Sequence, residues 1–126
     1  MNTQIVLFPS VARTADSNSD DIDNTENYTS AVIVIDVTLD PGTASVVFTV
    51  EGKDLLSGKY YEILEAAAIA SVSTTILHIG DGTADDDNIA VGTRLPRVWR
   101  INVDHAATES MTYSIGADLS TGPARA

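Results

Sequence analysis

The sequence predicts an all-β protein, a single β-sandwich or jelly-roll-like barrel of about seven or eight short antiparallel strands. Three observations predict this fold class. Apolar and polar residues alternate over short segments rich in β-branched side chains, turn signals recur about every ten residues, and almost no segment sustains a helical period. With 126 residues, 44% of them hydrophobic, the chain is long enough for one domain with its own core.

The first 30 residues predict an extended N-terminal arm. Residues 10–30, SVARTADSNSDDIDNTENYTS, are mostly polar with five acidic side chains, as in a long loop. The preceding QIVLFP predicts a short edge strand that ends at Pro9, because proline cannot donate to a strand ladder. The predicted organisation is therefore an arm over 1–30, a sandwich over 31–120 and a flexible tail over 121–126.

Residues 31–52 predict a first β-hairpin. AVIVIDVTLD is dense in β-branched residues and then alternates in polarity, which is typical of a core strand. DPGT, residues 40–43, places Pro and Gly at the centre of a type II turn. ASVVFTVEGKD follows as the second strand, with Val46, Phe48 and Val50 on one face.

The middle of the chain predicts shorter strands. KYYEILEAAAI follows a Ser57-Gly58 turn signal and predicts a strand through Leu64, after which the alanine-rich LEAAAIA is also compatible with a short helix. STTILHIG predicts a strand ending at Gly80, residues 80–88 an acidic loop, and NIAVGTRLP a short strand or extended segment.

RVWRINVDH, residues 97–105, opens a predicted second hairpin. Its apolar residues share one face, and after the loop HAATES the segment MTYSIGADL repeats the alternation. The inward side chains of the predicted strands form the predicted core, namely Ile33, Ile35, Val37, Val46, Phe48, Val50, Ile76, Trp99, Ile101, Val103, Tyr113 and Ile115.

Charge and composition restrict the partners. The net charge of −11 comes from 18 acidic and 7 basic residues, and such a surface repels nucleic acid and anionic lipid headgroups. The apolar patch Ile5 to Phe8 is too short for a secretory signal, and no stretch approaches the roughly 20 apolar residues that span a bilayer. We therefore expect no nucleic-acid or membrane partner, and synthesis in the cytoplasm without export. The absence of Cys excludes disulfides and thiolate sites.

Candidate catalytic groups are few. Asp104-His105 lies near Ser110, but neighbours on a strand point to opposite faces, so Asp104 is poorly placed to orient His105, and no G-x-S-x-G motif is present. His78 has no second histidine at metal-ligand spacing. We therefore predict no catalytic residue, no cofactor and no enzymatic activity.

Two acidic loops suggest calcium without matching a calcium motif. Residues 16–27 place oxygen ligands at the first, third and fifth positions of a calcium loop, but Asp21 and Asn27 stand where the motif needs Gly and Glu. Four carboxylates also cluster in residues 81–87. Solvated loops are the preferred interpretation. Binding of a hard cation, or of a partner's arginines, is the alternative.

Six residues are candidates for contact with a protein partner. Arg94, Arg97 and Arg100 are three of the seven cations and suggest ion pairs with acidic groups, either within the fold or across an interface. The apolar residues of the predicted arm are the other candidates, namely Ile5, Leu7 and Phe8.

Two longer segments carry a resemblance to a known class of proteins. They are AVIVIDVTLDPGTASVVFTVEGKDLLSGKYYEIL and LPRVWRINVDHAATESMTYSIGADL. The run from about Ala31 to Leu119, roughly 70% of the chain, resembles small virion proteins of tailed bacteriophages. In these proteins a V-x-V-T-x-x-P-G hairpin, a G-K-D-x-x-S-G-K-Y segment and an L-P-x-x-W-R ending with T-Y-S-V-G recur.

The resemblance implies a virion structural protein and no catalytic residue. Within that class, a capsid decoration (cement) protein is the first expectation, bound in many copies to the major capsid protein on the outer surface of the head. A homo-oligomer on the capsid is expected. The alternatives are a tail, neck or fibre component, and a carbohydrate or host-surface binding module that uses Trp99 or Tyr113.

Overall fold

The alternating segments form two β-sheets that pack face to face, which confirms the all-β class and the sandwich. The computed structural model describes residues 2–40, 44–106 and 109–121, and these contain strands, turns and irregular segments but no helix. The strands are β1 (Asn2–Arg13), β2 (Ser17–Asn18), β3 (Ile22–Asp23), β4 (Ser30–Leu39), β5 (Val46–Lys53), β6 (Tyr60–Glu65), β7 (Ser73–Gly80), β8 (Ala90–Val91), β9 (Val98–His105) and β10 (Met111–Ser120).

The first sheet has the strand order β1-β10-β4-β7-β8, and the second has the order β2-β9-β5-β6, with β3 also paired to β9. All the pairs are antiparallel except β7 with the two-residue strand β8. The seven longer strands match the predicted number, and the three two-residue strands β2, β3 and β8 add to it.

The core lies between the sheets and is centred on three large aromatic side chains, Trp99, Tyr113 and Phe48, each fully buried. Eleven of the twelve predicted core residues are buried, and Ile76 is the exception at 46% exposed. In β7 the buried residues are Leu77 and Ile79 instead. Leu77 and Ile79 share one phase of STTILHIG, whereas Ile76 shares the other with Thr74 and His78, so the alternation favoured the observed orientation and the prediction of Ile76 as a core residue is wrong.

Both predicted hairpins are wrong. β4 belongs to the first sheet and β5 to the second, and β10 and β9 are separated in the same way. Each connection therefore crosses from one sheet to the other. Alternation shows which face of a strand is buried but not which strand it pairs with, because both sheets bury a face against one core. The type II turn was predicted at residues 40–43, of which residues 41–43 lie outside the described residues.

The prediction of an arm is wrong for residues 2–13. They form β1, which pairs with β10 from Asn2 opposite Ser120 to Arg13 opposite Met111. β1 is the edge strand that was predicted, but Pro9 does not end it. Register shifts on both sides of Phe8 carry the strand past the proline, which an edge strand tolerates.

Residues 16–30 also lie against the sandwich. β2 and β3 pair with β9, and the buried side chain of Asn24 donates to the Tyr28 carbonyl at 2.7 Å and accepts from the Tyr28 amide at 2.8 Å.

The alanine-rich segment after Leu64 is not a helix, since Ile69 exchanges two backbone hydrogen bonds with Val46. Most of the predicted tail, residues 122–126, lies outside the described residues.

The orientation of β7 can be tested with two neighbouring residues. Leu77→Ala is expected to lower the free energy of unfolding by about 2–5 kcal/mol, because Leu77 is fully buried. Ile76→Ala is expected to cost less than about 1 kcal/mol, because the side chain is half exposed. Urea denaturation of both variants measures the difference, and a larger loss for Ile76→Ala than for Leu77→Ala would mean that β7 is turned the other way.

Candidate interaction surfaces

The three arginines each pair with a different acidic residue. Arg94 pairs with Asp81 at 3.5 Å and Arg97 with Asp23 at 2.8 Å, each between exposed side chains. Such exposed ion pairs contribute little to stability. Both arginines keep more than half of their side-chain surface in solvent, so they stay available to a partner.

Arg100 is the centre of a cluster on the second sheet. Its Nε lies 2.9 Å from Glu51 Oε1, and its guanidinium group lies 3.4 Å from the centre of the Tyr60 ring. The Tyr60 hydroxyl donates to Asp21 at 2.7 Å, and Lys53 Nζ lies 3.2 Å from the same carboxylate. The hydrogen bond from Tyr60, with help from Lys53, lowers the pKa of Asp21. Arg100 therefore serves contacts within the fold, where the cluster holds the segment around Asp21 against β5 and β6.

The predicted apolar contact residues of β1 face the core. Phe8 is 7% exposed and packs edge to face against Tyr113, while Ile5 and Leu7 are partly buried against the core. The apolar side chains that β1 exposes are Val6 at 74% and Val11 at 51%. Ile5, Val6 and Leu7 are successive apolar residues, and successive side chains of a strand point to opposite faces. The sequence therefore already implied that either Val6 or the pair Ile5 and Leu7 would face solvent.

His105, which was considered with Asp104 as a candidate catalytic pair, contacts Tyr113. Its Nε2 lies 3.1 Å from the Tyr113 hydroxyl, its backbone amide donates to Asp16 Oδ1 at 2.7 Å, and its buried Nδ1 has no hydrogen-bond partner among the described residues. Burial lowers the pKa of His105 and outweighs the opposing effect of Asp16 and Asp104. Burial also raises the pKa of Tyr113 to about 12, so both rings are neutral at pH 7.

The lowered pKa of His105 predicts a loss of stability in mild acid. Because the folded-state pKa lies below the ordinary 6.5, the unfolded chain binds the proton more readily. The free energy of unfolding should therefore be highest above about pH 7 and fall as the pH drops through 6.5 toward the folded-state pKa. Urea midpoints at pH 7.5 and 5.5 measure this loss.

The two histidines of the chain provide a matched control for that experiment. His105→Gln should lose less stability than the wild type between the two pH values, and His78→Gln should lose as much as the wild type. An identical pH dependence of wild type and His105→Gln would show that His105 is not the group responsible. The pKa of Asp21 and that of Asp54 are also lowered, but these groups titrate below about pH 4, outside this window.

The acidic loops use several of their carboxylates within the fold. Asp16 accepts from the His105 amide, and Asp85 Oδ1 accepts from the Gly92 amide at 2.7 Å. A shallow acidic pocket of about 330 Å³ lies between β6 and residues 85–91. Among the described residues, no three or more acidic or histidine side chains are arranged to hold a metal ion.

The turn between β5 and β6 exposes two leucines. Leu55 is 65% exposed and Leu56 is 96% exposed. The turn is held by the Asp54 carboxylate, which accepts from the Ser57 hydroxyl at 2.7 Å, and by the Gly58 amide, which donates to the Asp54 carbonyl at 2.8 Å. Gly58 adopts a φ of 74°, which glycine allows without strain. We call residues 54–58 the leucine tip. Two adjacent leucines beside a turn signal were visible in the sequence, and the prediction missed them.

The outer face of the first sheet carries an apolar groove. Val6, Gly116 and Val34 lie in one row across β1, β10 and β4, so the missing side chain of Gly116 leaves a depression between two valines. The groove has a volume of about 450 Å³, and Val32 and Asp118 also line it. We call it the Gly116 groove.

The residues proposed for carbohydrate recognition are not at the surface. Trp99 and Tyr113 are both fully buried, so neither can stack against a sugar without unfolding the core.

The described part of the chain has no helix long and apolar enough to cross a bilayer.

Comparison with known proteins adds no assignment. No protein-family model matches the chain, and neither a curated protein nor a solved structure is significantly similar to it.

Proposed function

We propose that the chain is a non-enzymatic virion structural protein of a tailed bacteriophage, and that it decorates and stabilises the outer surface of the head. The resemblance of residues 31–119 to small phage virion proteins carries the proposal. The resembling segments include β4, β5, β9 and β10, which supply most of the core. The resemblance therefore lies in the framework of the sandwich.

The exposed side of β1 is the surface that we assign to the capsid contact. Residues 2–12 contain no charged side chain in a protein of net charge −11. Among the described strands β1 pairs only with β10, and Arg13 already donates to the Pro9 and Val11 carbonyls, so the remaining backbone groups along its other edge are available to a strand of the major capsid protein. Val11 adds exposed apolar surface along this strand. Residues 2–13, which were predicted to belong to an arm, are thus still assigned to the capsid contact, but as the edge strand β1.

The stabilising effect follows from mass action. A protein that binds the assembled shell, and not its dissociated subunits, shifts the equilibrium toward the shell. A small sandwich that bridges neighbouring capsid subunits needs to bury only about 800 Å² on each side for a stable contact. Many weak copies can therefore stabilise a large particle.

Cosedimentation with undecorated heads tests the proposal. The purified protein is expected to sediment with the heads in hundreds of copies per particle, and not with tails. Val11→Lys places a charge on β1 outside the core and should reduce the bound copies at least tenfold. Val72→Lys is the matched control, because Val72 is 60% exposed and lies away from β1. A few copies per particle, or binding only to tails, would instead indicate a connector, tail or fibre component, and no binding would refute the proposal.

A further inference from the structure

We propose that copies of this protein associate head to tail, with the leucine tip of one copy seated in the Gly116 groove of the next. This contact is a property of the chain alone and does not depend on the proposed capsid function.

The leucine tip has the features of a docking element. It projects Leu56 almost fully into water, at a cost that burial in a partner would remove. Its frame is already formed, since the Asp54 carboxylate bonds to the Ser57 hydroxyl and the turn closes with the hydrogen bond from Gly58 to Asp54. A preformed loop loses little conformational freedom when it binds.

The Gly116 groove is a receptor of matching shape and polarity. Its walls are Val6 on β1 and Val34 on β4, separated by the strand β10 between them, so they stand about 10 Å apart. Val6 is 74% exposed and Val34 is 37% exposed. Since Gly116 has no side chain, the groove can admit branched aliphatic side chains from outside.

The charges favour a second copy as the occupant. Two copies with a net charge of −11 repel each other over most of their surface. The only two lysines of the chain, Lys53 and Lys59, flank the leucine tip. Lys53 pairs with Asp21, whereas Lys59 forms no ion pair with any described residue. Asp118 lines the groove and likewise forms no ion pair within the described ranges. Lys59 directly follows the tip and Asp118 lines the groove, so the two contact regions each carry a charge that is unpaired among the described residues, and these charges are opposite.

The geometry makes the contact one that repeats. The tip belongs to the second sheet and the groove to the first, so each copy keeps a free tip or a free groove after one contact forms. Such head-to-tail contacts build rings or chains. Two leucines and a groove bury less than the roughly 800 Å² per partner of a standard interface, so the association should be weak in solution.

Sedimentation velocity over about 10 µM to 1 mM protein tests the contact. The average mass of the wild-type protein should rise with concentration. Leu56→Ser removes the tip, and Gly116→Val fills the groove. An added Cβ at Gly116 meets its nearest atom at an ordinary 3.6 Å, so Gly116→Val should fold. Each variant should associate at least tenfold more weakly than the wild type, and Val72→Ser, which changes an exposed valine elsewhere, should associate like the wild type.

A mixture of the two variants tests the pairing itself. Gly116→Val keeps an intact tip and Leu56→Ser keeps an intact groove, so an equimolar mixture should form dimers and nothing larger. A mixture that stays monomeric while the wild type associates would overturn the tip-in-groove contact. A wild-type protein that stays monomeric, or a single variant that associates as the wild type does, would overturn it as well.

Discussion

Deletion of residues 2–13 is expected to unfold the protein or leave it with only a small part of its stability. The deletion removes Phe8 from the core, and loss of one such buried phenylalanine alone costs about 3–5 kcal/mol. It also removes one of the two strands that pair with β10, along nearly the whole length of β10. Since a domain of this kind has only about 5–15 kcal/mol of stability, little would remain.

Urea denaturation and circular dichroism of the truncated chain measure that loss. Val11→Ser is the control on the same strand, because Val11 is half exposed and its replacement should change the free energy of unfolding by less than about 1 kcal/mol. A truncated chain that unfolds cooperatively at the urea midpoint of the full-length protein would mean that residues 2–13 are an arm after all.

Trp99→Ala is expected to lower the free energy of unfolding by about 3–5 kcal/mol. Trp99 is the largest fully buried side chain, and in β9 it lies opposite Ile22 of β3 and Gly52 of β5. Truncation would open a cavity where the second sheet meets the first. The melting temperature should fall by roughly 10–20 °C.

Trp99→Phe distinguishes the effect of lost ring volume from the effect of losing the indole Nε1. The indole Nε1 is buried and has no hydrogen-bond partner within the described residues, so Phe removes an unsatisfied donor and loses less volume than Ala. The cost should be below about 2 kcal/mol. Equal losses for Ala and Phe would show that an unobserved hydrogen bond of Nε1, and not packing, stabilises this part of the core.

Much of the core could be predicted because strand alternation has a physical cause. Trp99, Ile101 and Val103 alternate with polar residues, and this assigns them to one buried face without knowledge of their neighbours. Ile76 was misassigned although the pattern pointed the other way, because Leu77 and Ile79 share the opposite phase of the strand and Ile76 is the only large apolar residue in its own.

Pairing partners and the edge strand were harder to predict, because the alternation within a strand does not show which strand lies beside it. The connection between β4 and β5 looks like a hairpin in the sequence, but it crosses between sheets, and both arrangements satisfy the same alternation. β1 contains a proline and is followed by a long polar segment, so composition favoured an arm. Its place beside β10 depends on contacts between residues 98 to 118 positions apart in the chain.

The candidate surfaces were predicted least well. Arg94, Arg97 and Arg100 form ion pairs within the chain, as one of the two interpretations held, and each pairs with a different acidic residue. The leucine tip and the Gly116 groove depend on exposure and on strand order. Only the fold brings Val6, Gly116 and Val34 from three separate segments into one row.

Electron cryomicroscopy of undecorated heads mixed with the purified protein shows whether the sandwich decorates the shell through β1. We expect density for a two-sheet sandwich in many copies on the outer surface of the shell, with the exposed side of β1 facing the major capsid protein. Heads that carry no added density, or copies that turn β1 toward solvent and contact the shell through another surface, would contradict this expectation.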